Sequence, residues 1–262
     1  MNQRLKPDPP YLRGMQFRDD EYERPPRFPF NLPWLKDFQL NFDSWVTFFV
    51  GENGSGKSTL IEAIATLSGL PISGGGRQDM ASVFGPEKHS ELAKELAPVF
   101  LKRPRDGYFF RAEYYAQYAS LLDQRDEDPD FSDNPYRAYG GRSLHTRSHG
   151  ESFLELMQNR FHEGLFLLDE PESALSPQRQ LTLLALIADR IKNGKSQFII
   201  ATHSPILLTF PTATILNFDE SPLAPIELGE TSHFQITQGI LEHPQRYWKH
   251  LAPAVKIDRP AR

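Results

Sequence analysis

A glycine-rich octapeptide beginning at residue 51 has the residue types and spacing of a phosphate-binding loop. It fits the pattern G-x-x-x-x-G-K-[ST] in full and reads Gly51-Glu52-Asn53-Gly54-Ser55-Gly56-Lys57-Ser58. Glycines let such a loop fold so that successive backbone N–H groups point at phosphate oxygens, and the helix that follows adds the positive end of its dipole. We therefore expect Lys57 to reach the β- and γ-phosphates of a nucleotide and the Ser58 hydroxyl to hold Mg²⁺. The predicted nucleotide-contacting residues are Asn53, Gly54, Ser55, Gly56, Lys57, Ser58 and Thr59.

A second acidic site follows an apolar run more than 100 residues later. Residues 165–168 read Leu-Phe-Leu-Leu and end in Asp169 and Glu170. In parallel sheets, ligands bind beyond the carboxyl ends of the strands, so Asp169 is expected to face the same crevice as Lys57 and to hold Mg²⁺. Glu170 would then lie near the γ-phosphate, where a carboxylate orients or deprotonates the attacking water. Glu172 lies close by, but Glu170 is favoured because it directly follows the metal-binding aspartate.

The elements that must position these groups alternate between strands and helices. Buried strands are predicted at 46–50, 165–168 and 198–202, with a shorter one at 108–110. Helices are predicted at 58–67, 90–97, 150–161 and 177–192, and one or two short helices within 232–252. The stretch 124–148 is predicted to be a long loop. Alternating strands and helices of this kind predict an α/β fold whose mainly parallel central sheet is flanked by helices.

Composition limits the classes of protein that fit. The 262 residues include no cysteine, which excludes disulfides, thiolate metal sites and cysteine nucleophiles. The net charge of −5 gives no chain-wide reason to expect a nucleic-acid partner, although a local basic patch would not be visible in it. No apolar run approaches the roughly 20 residues of a membrane-spanning helix, and segment 1–10 lacks the apolar core of a signal peptide. These features fit a cytoplasmic protein with no direct membrane insertion.

Taken together, the motifs resemble those of the ABC ATPases. Residues 168–171 look like the Walker B motif with its catalytic glutamate, and 173–176 look like the D-loop that follows, with Ser176 where aspartate is common. His203, at the end of the next apolar strand, resembles the family's switch histidine. Residues 148–151, just before the second acidic strand, resemble the family's signature motif and read Ser148-His149-Gly150-Glu151. The resemblance covers roughly residues 38–210.

The resemblance implies a fold and a mechanism. The fold would be the P-loop NTPase fold of ABC type, with an N-terminal antiparallel β portion and a helical signature subdomain. Two chains would pair head to tail as an ATP-dependent homodimer and trap two Mg²⁺-ATP molecules. Each ATP would touch the Lys57 loop of one chain and Ser148, Gly150 and Glu151 of the other. His203 would hydrogen-bond the γ-phosphate or the attacking water, so the catalytic set is Glu170, His203 and Lys57.

The sequence also departs from the family pattern. His149 replaces the first signature glycine, and Arg147 replaces the usual leucine. No glutamine of a Q-loop follows the strand at 108–110, where Glu113 is a weak candidate for that role. The sequence does not single out an adenine-stacking aromatic residue among Phe28, Phe30, Trp34 and Phe38.

Three functions remain open from the sequence. A stand-alone ATPase switch that acts on a protein or nucleic-acid partner is favoured by the signature glutamate and the long polar loop. The nucleotide-binding subunit of an ABC transporter is the alternative, and the missing Q-loop glutamine weighs against it. A non-hydrolysing nucleotide-binding protein is the third, and Glu170 weighs against it.

We expect one ATPase domain over residues 1–262. Within it, 1–30 would be an irregular N-terminal segment, about 70–160 the helical signature subdomain, and 232–262 a helical C-terminal tail.

Overall fold

The apolar runs of the sequence form the central strands of a mostly parallel sheet. A computed structural model describes residues 9–19, 23–77, 90–127, 134, 136, 141 and 149–251. The strands are β1 (Leu12–Phe17), β2 (Gln39–Asn41), β3 (Val46–Val50), β4 (Gly75–Gly76), β5 (Leu96–Phe100), β6 (Gly107–Arg111), β7 (Gly164–Asp169), β8 (Ser196–Ala201), β9 (Thr214–Asn217) and β10 (Ala224–Pro225). The helices are α1 (Lys57–Ser68), α2 (Glu91–Glu95), α3 (Ala112–Glu127), α4 (His149–Arg160), α5 (Pro177–Ile191), α6 (Ser232–Glu242) and α7 (Pro244–Leu251).

Seven of these strands form the central sheet in the order β10-β9-β3-β8-β7-β6-β4. The five inner strands, β9 to β6, run parallel, and the short strands β10 and β4 add antiparallel edges. The register pairs Asp169 at the end of β7 with Arg111 on one side and Ala201 on the other. Because all five parallel strands end at one edge, the polar groups that follow β3, β6, β7 and β8 meet there.

Two apolar cores cover the two faces of this sheet. Alternate residues of β3, β7 and β8 face α1 and a separate antiparallel sheet of order β2-β1-β5, and the others face α4 and α5. On the second face, Phe166 stacks on Phe161 with ring centroids 4.5 Å apart and also contacts Phe198. Strands buried on both faces are the reason for continuous rather than alternating apolar runs.

The predicted α/β fold with a mainly parallel, helix-flanked sheet and an N-terminal antiparallel β portion is therefore confirmed. The predicted strands at 46–50, 108–110, 165–168 and 198–202 all lie in the central sheet within one or two residues of their expected bounds. Two helices, α6 and α7, lie on either side of His243. None of the helices in the described ranges is both long enough and apolar enough to cross a membrane.

Three details of the sequence interpretation were wrong. Residues 12–17 form β1, although 1–30 was predicted to be irregular, because this strand pairs with β2 and β5, which are remote in sequence. The predicted helix at 90–97 ends at Glu95, and the chain continues as β5. The predicted loop at 124–148 begins inside α3, which runs to Glu127. Most of that loop, and residues 252–262 of the predicted tail, lie outside the described residues.

Replacing Phe166 with alanine should strongly destabilise the protein. The side chain is fully buried and is stacked on Phe161, so truncation leaves a cavity that costs about 3–5 kcal/mol of unfolding free energy. Urea unfolding followed by circular dichroism measures the change. Leu181→Ala on α5 is the control, since Leu181 is 57% exposed and should change the unfolding free energy by less than about 0.5 kcal/mol. A loss below about 1 kcal/mol for Phe166→Ala would contradict the packing described.

Candidate functional site

The turn between β3 and α1 has the backbone conformation of a phosphate-binding loop. Gly54 and Gly56 have φ values of 83° and 97°, in the left-handed region that favours glycine. A Cβ on Gly56 would lie 2.8 Å from the Leu32 side chain and 3.0 Å from Trp34, whereas a Cβ on Gly54 would meet nothing within 4 Å. The loop is thus packed against the protein on one side and open on the other. Asn53 and Gly54 are exposed, and Thr59 is half-buried on the first turn of α1.

Trp34 supports the packed side of this loop. Its indole N–H donates to the Ser55 carbonyl over 2.7 Å, and its buried ring packs edge-on against Phe218. Phe38 is buried behind it, with its ring 5.6 Å from that of Trp34, while Phe28 is 58% exposed. Trp34 and Phe38 therefore belong to the core, and the adenine-contacting residue stays unassigned.

Lys57 is turned back onto the loop that precedes it. Its ammonium group donates to the carbonyls of Gly51 (2.7 Å) and Glu52 (2.9 Å) and is buried. Burial lowers the pKa of Lys57, and the carboxylates of Glu170, Asp219, Asp169 and Glu52 oppose that shift. Exchanging these two carbonyl contacts for phosphate oxygens would give the desolvated ammonium a stronger, charge-assisted partner.

Ser58 and Asp169 are in direct contact, although 111 residues separate them. The Ser58 hydroxyl donates to Asp169 Oδ1 over 3.0 Å, which joins the start of α1 to the end of β7. Asp169 is buried, and burial raises the pKa of its carboxyl to about 6, while Arg111 and the Ser58 hydrogen bond act in the opposite direction. Hydroxyl and carboxylate oxygens form a hard donor set that suits Mg²⁺, which takes few protein ligands and keeps the rest for water and phosphate.

Glu170 and His203 lie at the edge of the same cleft. Glu170 adopts a left-handed conformation (φ 50°) directly after β7, and its side chain is 44% exposed. His203 Nε2 lies 3.4 Å from Glu170 Oε1, and the His203 backbone N–H donates to Glu172 over 2.6 Å. Glu172 thus anchors the histidine backbone, while Glu170 presents its carboxylate to the cleft. Burial lowers the pKa of His203, and the Lys57 charge adds to this, so the imidazole is neutral at pH 7.

A cavity of about 340 Å³ lies over these groups. It is lined by Ser58, Arg111, Ala112, Glu113, Asp169, Glu170 and Ser173. The predicted metal ligands and the predicted base therefore share one cavity. The carboxylates of Glu170 and Asp169 are also close enough to Lys57 to raise its pKa against the effect of burial. The open side of the loop, the buried Lys57 ammonium and the oxygen donors of Ser58 and Asp169 together fit a Mg²⁺-bound nucleoside triphosphate.

The signature residues are only partly within the described ranges. Ser148 lies outside the described residues. A Cβ on Gly150 would lie 2.7 Å from the Ala174 carbonyl and 2.8 Å from Arg179, so α4 begins in close contact with the segment that follows Glu170. Glu151 forms an ion pair of 2.9 Å with Arg179 on α5. Gly150 thus packs against Ala174 and Arg179, and Glu151 pairs with the first turn of α5 in its own chain.

Arg111 is the main charged group that sequence reasoning missed. Its buried guanidinium lies 3.7 Å from Asp169 Oδ2, donates to Glu62 over 2.7 Å and also contacts Glu113. Glu113, the weak Q-loop candidate, is therefore directed at this arginine. Two signals in the sequence were available. Arg111 comes directly after the apolar run 108–110, at the strand end that faces the site, and Glu62 lies four residues after Ser58, on the same face of α1.

Asp219 was missed as well. It follows β9 and accepts from the backbone N–H of Glu52 over 2.7 Å, which fixes the first turn of the phosphate-binding loop. Residues 211–231 carry no motif that would have drawn attention to it.

Comparison with protein families finds two matches, which are separated by residues 98–113. Residues 30–97 match a model described as "AAA domain", and residues 114–209 match one described as "AAA domain, putative AbiEii toxin, Type IV TA system". The first match contains the Lys57 loop, and the second contains Asp169, Glu170 and His203.

Two curated proteins are similar to most of the chain. Translation initiation factor RLI1 of Saccharomyces cerevisiae is 23% identical over 87% of this chain, which spans 36% of that protein. The energy-coupling factor transporter ATP-binding protein EcfA2 of Streptococcus agalactiae is 24% identical over 72% of this chain and 72% of its own length.

Among solved structures, an ATP-binding cassette of an ABC transporter covers 92% of this chain and 98% of its own, at 15% identity and a TM-score of 0.48. The SMC head domain from Thermotoga maritima covers 72% of this chain and 93% of its own, at 19% identity and a TM-score of 0.36.

Replacing Asp169 with asparagine should stabilise the ligand-free protein at neutral pH. A shift of the Asp169 pKa from 3.8 to about 6, which already includes the opposing effect of Arg111, corresponds to at most about 3 kcal/mol at pH 7. The expected gain in unfolding free energy is about 1–2 kcal/mol above pH 6. It should shrink as the pH falls and vanish below pH 4, where the carboxyl is protonated in both the folded and the unfolded state.

Urea unfolding between pH 4 and pH 8 measures this effect. Asp189→Asn serves as the control, because Asp189 is an exposed carboxylate of α5. A variant less stable than the parent at pH 7 would show that the buried carboxylate is net stabilising.

Replacing Trp34 with phenylalanine should weaken nucleotide binding. Phenylalanine keeps an aromatic ring but loses the donor to the Ser55 carbonyl, a loss of about 1 kcal/mol, or roughly fivefold in affinity. Titration with a fluorescent ATP analogue measures the dissociation constant. Trp248→Phe is the matched control, since Trp248 lies exposed on α7. Equal affinities in the two variants would rule out a supporting role for Trp34.

Proposed function

We propose that this chain is an ABC-type P-loop ATPase that binds Mg²⁺-ATP at the Lys57 loop and hydrolyses it with Glu170 as the base. It would act as a switch that closes into a nucleotide-sandwiched homodimer. The observation that carries the proposal is the contact between Ser58 and Asp169 at 3.0 Å. It brings the phosphate-binding loop and the acidic strand end to one cavity, together with Glu170.

The phosphate-binding loop, the acidic strand end and His203 have separate roles in this proposal. Backbone N–H groups of residues 53–59 and the Lys57 ammonium bind the phosphate oxygens. Ser58 and Asp169 hold Mg²⁺, which would neutralise charge on the β- and γ-phosphate oxygens. Glu170 accepts a hydrogen bond from the attacking water and takes its proton. His203, neutral at pH 7, donates from Nε2 toward the γ-phosphate.

The geometry of the cavity supports this assignment of roles. Glu170 is exposed enough to meet a water molecule, whereas Glu172 is committed to the His203 backbone. Arg111 keeps positive charge beside Asp169, and Glu62 and Glu113 balance it. The carboxylate that is free to act is therefore the one that directly follows the metal-binding aspartate.

The homodimer is proposed because the site is open on one side. Within the described residues, the loop packs against Leu32 and Trp34, while Asn53 and Gly54 face solvent. A second chain would cover that side with its Ser148, Gly150 and Glu151. The transporter-subunit alternative has the similarity to EcfA2 in its favour, but Arg111 and Glu113 lie where a Q-loop glutamine would be expected. Co-purification with a membrane protein would favour that alternative.

Two substitutions separate binding from hydrolysis. Lys57→Ala removes the phosphate-binding ammonium and should abolish ATP binding in a filter or calorimetric assay.

Glu170→Gln keeps the shape of the side chain but not its basicity, so it should bind ATP, hydrolyse it at least about 100-fold more slowly, and elute as a dimer with Mg²⁺-ATP. Light scattering coupled to size-exclusion chromatography measures the mass.

Glu163→Gln is the control for the second variant. Glu163 is an exposed carboxylate just before the other end of β7, and its replacement should leave the hydrolysis rate unchanged. ATPase activity retained in Lys57→Ala would overturn the assignment of the binding site. A parental rate in Glu170→Gln would place the base elsewhere.

A further inference from the structure

The first turn of α6 places a second histidine against His203. His233 Nε2 lies 2.9 Å from His203 Nδ1, and the two ring centroids are 5.0 Å apart. The position of the turn is fixed by buried Thr231, whose hydroxyl accepts from the Phe234 N–H over 3.3 Å and donates to the Leu228 carbonyl over 2.8 Å. The contact is therefore held by a capped helix start and not by a free loop.

The two ring nitrogens of His203 face different partners. Nδ1 faces His233, and Nε2 lies 3.4 Å from the Glu170 carboxylate. A neutral imidazole carries one hydrogen, so whichever nitrogen lacks it presents a lone pair. A lone pair on Nε2 would point at a carboxylate, which is electrostatically unfavourable. The hydrogen of His203 is therefore expected on Nε2, and His203 Nδ1 must then accept a hydrogen bond from His233 Nε2.

We propose that His233 is a positioning residue for His203: it donates from Nε2 to His203 Nδ1 and so keeps the hydrogen of His203 on the nitrogen that faces Glu170 and the phosphate cavity. The kinetic part of this proposal rests on the proposed function, in which His203 donates to the γ-phosphate. The tautomer itself is a property of the ligand-free protein.

The surrounding groups act on His203 in opposite directions. Burial lowers the pKa of His203, Lys57 and His233 also disfavour a positive charge on it, and Glu170 favours one, so that the net effect is a lowered pKa. A Glu172 carboxylate oxygen accepts a hydrogen bond from the His203 backbone N–H. When His203 is neutral, one N–H joins His203 Nδ1 to His233 Nε2, and the direction of that hydrogen bond decides which ring nitrogen of His203 carries the hydrogen.

The tautomer is tested directly by long-range ¹H–¹⁵N correlation spectra of the nucleotide-free protein comprising all 262 residues. The His203 signals are assigned by their loss in His203→Gln. The parent should show His203 with its hydrogen on Nε2, and His233→Leu should shift it toward a mixture of the two tautomers. A parent with the hydrogen on Nδ1, or an unchanged tautomer in His233→Leu, would overturn the proposal.

Steady-state ATPase kinetics test the consequence. His233→Leu should lower kcat on the order of tenfold and leave the KM for ATP unchanged, because His233 acts through a neighbour of the reacting groups. His233→Gln places an amide donor near the lost Nε2 and should restore kcat to within about twofold. Gln238→Leu on the exposed face of α6 is the matched control and should behave like the parent.

A double substitution separates positioning from a structural role. In the His203→Ala background, His233→Leu should cause no further loss of kcat, since residues that act as a unit are not additive. The same tenfold loss in that background would overturn the proposal. If the parent itself does not hydrolyse ATP, the proposed function fails, and the tautomer spectra still decide whether His233 orients His203.

Discussion

The hydrogen bond from Ser58 to Asp169 is the interaction on which the organisation of the site depends. It ties the helix that follows the phosphate-binding loop to the end of the acidic strand, where Asp169 is buried. A buried carboxylate is costly, and burial raises the pKa of Asp169 to about 6 although Arg111 and the Ser58 hydrogen bond both act to lower it. Folding alone does not require a carboxylate at this position, and an apolar residue buried at the end of β7 would cost less free energy.

The parallel sheet determines which other residues lie beside Asp169. Because β6, β7 and β8 are neighbours in register, Arg111, Asp169 and Ala201 lie side by side at one edge. The residues that follow β7 and β8, Glu170 and His203, are therefore brought within 3.4 Å of each other. Strand order, rather than proximity in sequence, brings these side chains together, and the antiparallel strands lie outside this arrangement.

The sequence was sufficient for the groups whose position follows from a motif and a strand end. The buried runs before Gly51 and Asp169 defined the parallel sheet, and the rule that strand ends meet at one edge placed Lys57, Asp169 and Glu170 together. It was insufficient for contacts between segments without periodic patterns. Strand β1 has its pairing partners in β2 and β5, and a six-residue segment does not reveal partners so distant.

The same limitation applied to the polar residues around the site. Trp34 resembles any core aromatic in sequence, and only the fold shows its N–H on the Ser55 carbonyl. Arg111 was missed, although it pairs with Asp169 and Glu62. His233 lies 30 residues beyond His203 in a segment with no known motif. Local patterns predict elements, whereas the contacts of these three residues depend on tertiary packing.

Two charged groups of the site are buried at a cost that a bound nucleotide would offset. The Lys57 ammonium donates to two carbonyls of its own loop while burial lowers its pKa, and burial raises the pKa of the Asp169 carboxyl. Phosphate oxygens would give Lys57 an anionic partner, and Mg²⁺ would give Asp169 a cationic one. Both unfavourable burials then become favourable interactions that exist only with the ligand bound, and this difference in free energy is what an ATP-dependent switch requires.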